Sequence, residues 1–216
     1  MKTILISVVA LIATSAMAFA DYTIVEQMEH NDSAAQTLTI RLKGGKARCD
    51  MGTMMSTIVN GSDITMLMHS QKVVMKMPMN ALSLLGKDST DNTPTKLQPT
   101  GRKQTINGFN TEEYLHDNPK MKAKMHLWIA KDFPDAAEIM KMIQAFQTPM
   151  TTQFMQSAGM VSPEDYPGLP VRTEVESDLM GKPSKTVINV ISIKKEPLDD
   201  SIFAVPSDYH SALRGQ

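Results

Sequence analysis

Short runs in which apolar and polar residues alternate recur along most of the chain, and they restrict its fold more than any other feature. In the run TLTIRLK, Leu38, Ile40 and Leu42 fall on one side and polar residues on the other. This period of two is typical of a β-strand with one buried face. The pairs Asn60-Gly61 and Asn107-Gly108 each separate two further runs and predict tight hairpins. The pattern therefore indicates consecutive antiparallel strands.

The middle of the chain changes to a helical period. Asp132 is suited to cap a helix, and Pro149 and Gly159 are suited to interrupt and end one. The sequence thus predicts a helical segment from about 133 to 159 inside an α+β domain, where it covers the concave side of a curved antiparallel sheet. Its apolar stripe consists of Ile139, Met140, Ile143 and Phe146.

The N-terminus has the features of a secretory signal. An apolar run at 4–13 follows a lysine, and the small-residue pattern at 18–20 is typical of a cleavage site. We therefore expect residues 1–20 to be removed and residues 21–216 to form a single domain that is periplasmic or secreted. The run is too short to span a bilayer, so no stable membrane anchor is expected.

Composition argues against several classes of function. The chain has 22 basic and 23 acidic residues, a balance without the footprint of nucleic-acid binding. The single cysteine, Cys49, has no partner for an internal disulfide and is interpreted as a small buried side chain.

No signature of catalysis or of a resident cofactor is present. The five histidines lack metal-ligand spacing, and motifs for hydrolysis, phosphate binding or redox chemistry are missing. The adjacent acidic pairs Glu112-Glu113 and Asp199-Asp200 would point to opposite faces of a strand, which separates the carboxylates. We therefore predict that the protein is not an enzyme and has no cofactor.

Methionine is the unusual residue of this sequence. The chain has 19, and VVMKMPM at 73–79 places three of them at alternate positions. Pairing this run with DITMLM as a hairpin sets Met68 opposite Val73, Met66 opposite Met75, and Ile64 opposite Met77 on one face. A later strand predicts a similar face of Met121, Ala123, Met125, Leu127 and Ile129.

Three interpretations of these methionines remain open. They can be ordinary core in which methionine replaces leucine, or they can hold Cu(I), since thioethers are soft ligands. They can also form a wall that binds a hydrophobic small molecule or lipid. The candidate copper ligands are Met75, Met77, Met79 and His126. The candidate wall residues are Met66, Met68, Met75, Met77, Met121, Met125, Ile139, Ile143 and Phe146.

Four motifs in a fixed order carry a resemblance to a known family. They are TINGFNTEEY (105–114), HLWIAKDFP (126–134), GLPVRTEVES (168–177) and ISIKKEPLDDSIFAVPSDY (191–209). Together they resemble an exported bacterial family known only as a domain of unknown function, which is similar in fold to the lipoprotein carriers LolA and LolB. The resemblance implies an incomplete antiparallel barrel whose concave side is covered by helices, and it favours an apolar ligand. An envelope protein that binds another protein and no small ligand is a further alternative.

Overall fold

The computed structural model describes residues 20–61, 63–78, 96–119, 122–145, 161, 163–179 and 182–212. Most of the predicted signal segment lies outside the described residues, and so does the predicted helical region from 146 to 159. The same holds for Met79, Met121 and Phe146.

The described residues form twelve β-strands and one α-helix. The helix is α1 (Ala136–Ala145). The strands are β1 (Tyr22–His30), β2 (Gln36–Lys43), β3 (Lys46–Met51), β4 (Met55–Asn60), β5 (Asp63–Met68), β6 (Val73–Pro78), β7 (Gln98–Ile106), β8 (Phe109–Asn118), β9 (Ala123–Ala130), β10 (Leu169–Leu179), β11 (Lys182–Lys195) and β12 (His210–Ser211).

All twelve strands belong to one open, curved sheet with the order β12-β6-β5-β4-β3-β2-β1-β11-β10-β9-β8-β7. Strand β1 pairs with both β2 and β11, so it joins the meander β1–β6 to the meander β7–β11. Only β12 pairs in parallel, with β6. The predicted antiparallel sheet is therefore confirmed.

Both predicted hairpins form where the sequence places them. Asn60 pairs with Asp63 at the end of β4 and β5. At the tip of β7 and β8, Asn107 and Gly108 have φ angles of 49° and 86°. Two successive positive φ angles are what a two-residue turn needs to match the twist of its strands, and asparagine and glycine reach them at low cost.

The helix begins later than the sequence predicts. The first turn of α1 starts at Ala136, whose N–H donates to the carbonyl of Phe133, so Asp135 and not Asp132 precedes the helix. The prediction of Asp132 as the cap is therefore wrong. The chain makes an additional turn here because Phe133 packs edge-on against Phe109, with ring centroids 5.6 Å apart.

The acidic pair Asp199-Asp200 also departs from its prediction. It lies in a short 3-10 turn, Asp200–Phe203, and not in a strand. The Asp199 side chain accepts a hydrogen bond from the N–H of Ser201, which caps the turn. The Asp199 carboxylate therefore stabilises the turn, and the Asp200 carboxylate forms an ion pair with Lys46 at 2.8 Å.

The sheet has two faces with different partners. We define the methionine face as the face that carries Ile64, Met66 and Met68 and the residues opposite them on neighbouring strands. Helix α1 packs at one end of this face, where Ile139 is fully buried against a cluster that includes Tyr22. The hydroxyl of Tyr22 donates to Glu138 Oε2 at 2.6 Å, which fixes the helix to β1.

The outer face is covered over β3–β6 by the C-terminal segment, defined here as residues 196–212. Phe203 and Leu198 from this segment are buried against Ile58, Leu67 and Val74. The N–H of Glu196 donates to the carbonyl of Asp21, and β12 closes the segment onto β6. The part of the fourth motif from 196 to 209 therefore covers the outer face, and its first residues, 191–195, belong to β11.

Gly168, in the third motif, is required by a close approach of backbones. A Cβ atom at this position would lie 2.6 Å from the carbonyl oxygen of Ala130 and 2.8 Å from the Cα of Lys131. Both atoms belong to backbone that cannot move aside independently. Glycine therefore lets β10 start directly against the end of β9.

Candidate ligand-binding face

The methionine face is built by the predicted pairing of β5 with β6. Met66 lies opposite Met75, Met68 opposite Val73, and Ile64 opposite Met77, so this prediction is confirmed. Residues directly opposite in an antiparallel pair have Cβ atoms about 4.5–5.5 Å apart and share a face. The thioethers of Met66 and Met75 therefore occupy neighbouring positions.

Two further methionines extend this face, and sequence reasoning missed them. Met51 on β3 lies opposite Met55 on β4, which in turn lies opposite Met68. The three side chains form a row across three strands. The signal was present in DMGTMM, because a turn at Gly52, which has a φ of 52°, brings Met51 and Met55 together.

Exposure differs between the two faces of the same strands. On β5 the outer-face residues Leu67 and Thr65 are 0% and 8% exposed. On the methionine face Ile64 is also 8% exposed, whereas Met66 and Met68 are only half-buried. Met51, Met55, Met75 and Met77 are half-buried as well. The outer face therefore forms the tight core here, and the thioethers keep surface available for contact.

Other predicted wall residues lie in tightly packed surroundings. Met125 is 6% exposed and packs with Tyr114 and Leu127, and Ile139 is 0% exposed. Ile143 packs partly buried against the same core as Ile139. The structure thus groups Met66, Met68, Met75 and Met77 on adjacent strands and places Met125 and the helical residues in core clusters.

Of the predicted copper ligands, Met75 and Met77 share one face of β6, Met79 lies outside the described residues, and His126 does not join them. His126 faces the outer side of β9, where its Nδ1 lies 2.9 Å from Glu113 Oε1. The ring of His69 is hydrogen-bonded to Ser56 and Tyr209. Within the described ranges, no three histidine, cysteine, aspartate or glutamate side chains are arranged to hold a metal ion.

Cys49 lies on the methionine face of β3, opposite Ile40 and Thr57. Its side chain is half-buried. Burial raises the pKa of this thiol, and the nearby carboxylates of Glu26 and Asp50 raise it further. A protonated thiol is a weak nucleophile, so Cys49 acts as a small packing side chain.

A polar cluster on the outer face contains Ser56, His69 and Asp50, which are the residue types of a hydrolytic triad. Burial opposes ionisation of Asp50, but hydrogen bonds from Ser56 and Arg48 lower its pKa. Since an ionised carboxylate only accepts hydrogen bonds, the Ser56 hydroxyl donates one to Asp50, and His69 Nε2 donates one to Ser56 at 2.7 Å. His69 therefore cannot act as a base toward Ser56.

The same cluster is closed to substrates. Ser56 is 0% exposed, and His69 Nδ1 accepts from the hydroxyl of Tyr209, which belongs to the C-terminal segment. Asp50 contacts the serine and not the histidine, which reverses the order that a catalytic triad requires. The cluster ties the C-terminal segment to the sheet.

A second polar network lies on the outer face near β7. Glu113 is 1% exposed and accepts hydrogen bonds from Arg102, Thr100 and His126. Burial alone would raise the pKa of Glu113, but these donors hold it at about 2. Arg102 also lies over the ring of Trp128 at 5.5 Å, so the network fastens β7 to β8 and β9.

Two cavities among the described residues are lined mainly by polar and charged residue types, and neither is lined by methionine. Their volumes are about 630 and 910 Å³. The smaller is lined by Lys103, Gln104, Thr105, Asn110, Thr111, Glu112, Ile129, Lys131 and Asp132. The larger is lined by Asn31, Asp32, Asp117, Pro119, Lys122, Lys124, Glu176, Ser177, Asp178, Pro183, Ser184 and Lys185.

The fold is that of an α+β protein built on one open antiparallel sheet. Residues 24–209 match the family model described as a domain of unknown function, DUF4412, and the chain belongs to this family. The predicted membership of a family known only by such a description is thereby confirmed. None of the curated proteins compared with the chain matches it.

Several solved structures are similar at a distance. An uncharacterised conserved protein from Thermus thermophilus shares 12% identity over 89% of this chain and 90% of its own, with a TM-score of 0.49. A LolA superfamily protein from Nitrosomonas europaea shares 12% identity over 86% and 89%, with a TM-score of 0.33. PNGF-II shares 14% identity over 89% of this chain, with a TM-score of 0.44, but the chain covers only 31% of PNGF-II.

In the described part of the chain, no helix combines the length and the apolar character that crossing a bilayer demands.

Proposed function

We propose that this protein is a non-enzymatic, exported binding protein that holds a lipid or acyl chain against the methionine face. The observation that carries the proposal is the set of half-buried thioethers paired across adjacent strands β3–β6. Methionine side chains are unbranched and polarizable, so they can repack around apolar guests of different shapes. The predicted signal at 1–20 supports a periplasmic or secreted location.

Packing elsewhere on the sheet supports this use of the face. Over β4–β6 the outer face already supplies a closed core through Leu67, Ile58 and Phe203. The thioethers are therefore not the main source of stability for these strands. Apolar surface left half-open beside a complete core is suited to gain free energy by covering a ligand, about 25 cal/mol for each Å² removed from water.

A second candidate function is Cu(I) binding, and the observed pairing supports a specific set of candidate ligands. Met66 and Met75 are directly opposite, and Met51, Met55 and Met68 form a row beside them. Thioethers bind Cu(I) without losing a proton. This set replaces the one that includes His126, whose ring lies on the outer face.

Paired substitutions separate the two candidates. Met66→Leu with Met75→Leu removes both sulfur atoms but keeps apolar volume, so lipid binding and stability should change little, by less than about 1.5 kcal/mol. A copper adduct should be lost in the same variant. Met66→Gln with Met75→Gln keeps length but adds polarity, and lipid affinity should fall about tenfold or more.

The measurement is native mass spectrometry of the purified protein, before and after addition of Cu(I) under reducing conditions. The control is Met54→Leu, because Met54 is 55% exposed in the turn before β4 and should affect neither ligand. Copurified lipid that persists at wild-type level in the glutamine variant would contradict the proposal. Protein that carries neither lipid nor copper would instead favour an envelope protein that binds a protein partner.

A further inference from the structure

Glu26 is an acidic side chain in the middle of the methionine face. It lies on β1 opposite Leu38 and Val190, two apolar residues on β2 and β11. The row continues from Leu38 to Met51, Met55 and Met68. The carboxyl group therefore stands at one end of the thioether row.

The described residues around Glu26 supply no partner for its charge. It makes no hydrogen bond or ion pair with another described residue, and burial raises the pKa of its carboxyl group. On the same face of β11, Lys195 lies at the far end and pairs with Asp135 at 3.1 Å. His30, at the other end of β1, is bonded to Thr186.

The remaining described positions on this face of β2–β6 carry no charged side chain. Gln36 and Thr57 are polar, and Cys49 is a neutral thiol whose pKa the Glu26 carboxylate helps to raise. The other members are Leu38, Ile40, Leu42, Ala47, Met51, Met55, Val59, Ile64, Met66, Met68, Val73, Met75 and Met77. Glu26 is thus the one carboxylate in an apolar row that the described residues leave unpaired.

A β-bulge lies directly beside Glu26. The pairing of β1 with β11 shifts between Val25 and Glu26, so that Val25 lies opposite Ser192 and Glu26 opposite Val190. Bulges redirect side chains and are common next to functional sites. The backbone is therefore irregular at the position where the acidic group enters the apolar face.

An unpaired carboxylate in apolar surroundings is unfavourable unless a donor or cation reaches it. We infer that the ligand of the methionine face is an amphiphile with a primary ammonium head, which pairs with Glu26 while its apolar chain lies along Met51, Met55 and Met68. This inference rests on the proposed function. A carboxylate head would bring a second negative charge to the same place and is disfavoured.

The test compares three ligands with the same chain, dodecylamine, dodecanol and dodecanoate, by isothermal titration calorimetry at neutral pH with ligand-stripped protein. All are used below the concentration at which they form micelles. The amine should bind about tenfold more tightly than the carboxylate, a difference expected of one charge pair that is partly shielded from water. Dodecanol should bind with intermediate affinity.

The variant Glu26→Gln should remove the preference, since the amide keeps the size of the side chain but not its charge. Binding of the amine should weaken, binding of the carboxylate should strengthen, and binding of the alcohol should be unchanged. Glu29→Gln is the matched control, because Glu29 lies exposed on the opposite face of β1 and should alter none of the three. A variant that shifts all three affinities equally would overturn the inference.

Failure of the inference and failure of the proposed function give different results. Equal affinity of the wild-type protein for amine, alcohol and carboxylate would leave the apolar site intact and reject the role of Glu26. Absence of binding by all three would reject the apolar site itself, and the role of Glu26 with it.

Discussion

Replacing Phe203 by alanine is expected to lower the free energy of unfolding by about 3–5 kcal/mol, the usual effect of deleting a buried aromatic ring. Phe203 is 6% exposed and packs with Ile58, Leu67 and Val74 on the outer face. The loss should be measured by urea denaturation. Hydrogen exchange should show the C-terminal segment opening first, because Phe203 and Leu198 are its main buried contacts with the sheet.

The control for this variant is Ser207→Ala, an exposed position in the same segment, which should change stability by less than about 0.5 kcal/mol. A loss of less than about 1 kcal/mol in Phe203→Ala would show that the segment is held by its polar contacts instead. Those contacts are the hydrogen bond between Tyr209 and His69 and the pairing of β12 with β6.

The variant Glu113→Gln is expected to lose stability at neutral pH and to change how stability depends on acid. The pKa of Glu113 falls from 4.5 to about 2 in the folded protein. A carboxyl group whose pKa is lower in the folded protein than in the unfolded chain stabilises the fold at pH values above the unfolded pKa. This contribution is lost as the pH falls from 4.5 toward 2. Because Arg102 and His126 face solvent, which screens their charges, we expect the variant to lower the free energy of unfolding by about 1–3 kcal/mol at pH 7. This is less than the free energy that corresponds to the whole pKa shift.

The measurement is urea denaturation of wild type and variant at several pH values between 7 and about 2. The free energies of unfolding of the two proteins should differ most at neutral pH and converge at the acidic end, because the wild-type carboxyl group then becomes neutral, like the glutamine amide. Glu176→Gln, at a side chain 52% exposed, is the matched control and should give nearly parallel curves. A constant gap between wild type and Glu113→Gln would contradict the assigned pKa.

The strands were predictable because their pattern is local. Alternation located Leu38, Ile40 and Leu42 on one face, and Asn-Gly pairs located two hairpins whose register follows from turn length. The pairing of Met66 with Met75 followed from the same rule. An alternating pattern and a short turn leave few possible strand pairings, which is why these predictions were correct.

Features that depend on distant contacts could not be predicted in this way. The start of α1 depends on Phe133 meeting Phe109, and the 3-10 turn at Asp200 depends on the burial of Phe203. The position of Glu26 at a bulge depends on the register of β11, which lies far along the chain. Alternation alone shows the face of Glu26, but not that its neighbours leave its charge unpaired.

The pairing of β12 with β6 has a consequence for how copies of this protein behave toward one another. β12 pairs with Val73 and Val74 and so covers the beginning of the β6 edge, and an uncovered strand edge is a template for strands of another molecule. The opposite edge of the described sheet, β7, is protected by different means, a proline at Pro99 and an irregular register up to Lys103. We therefore expect this parallel contact to hinder pairing of another molecule at Val73 and Val74, and removal of β12 to favour self-association.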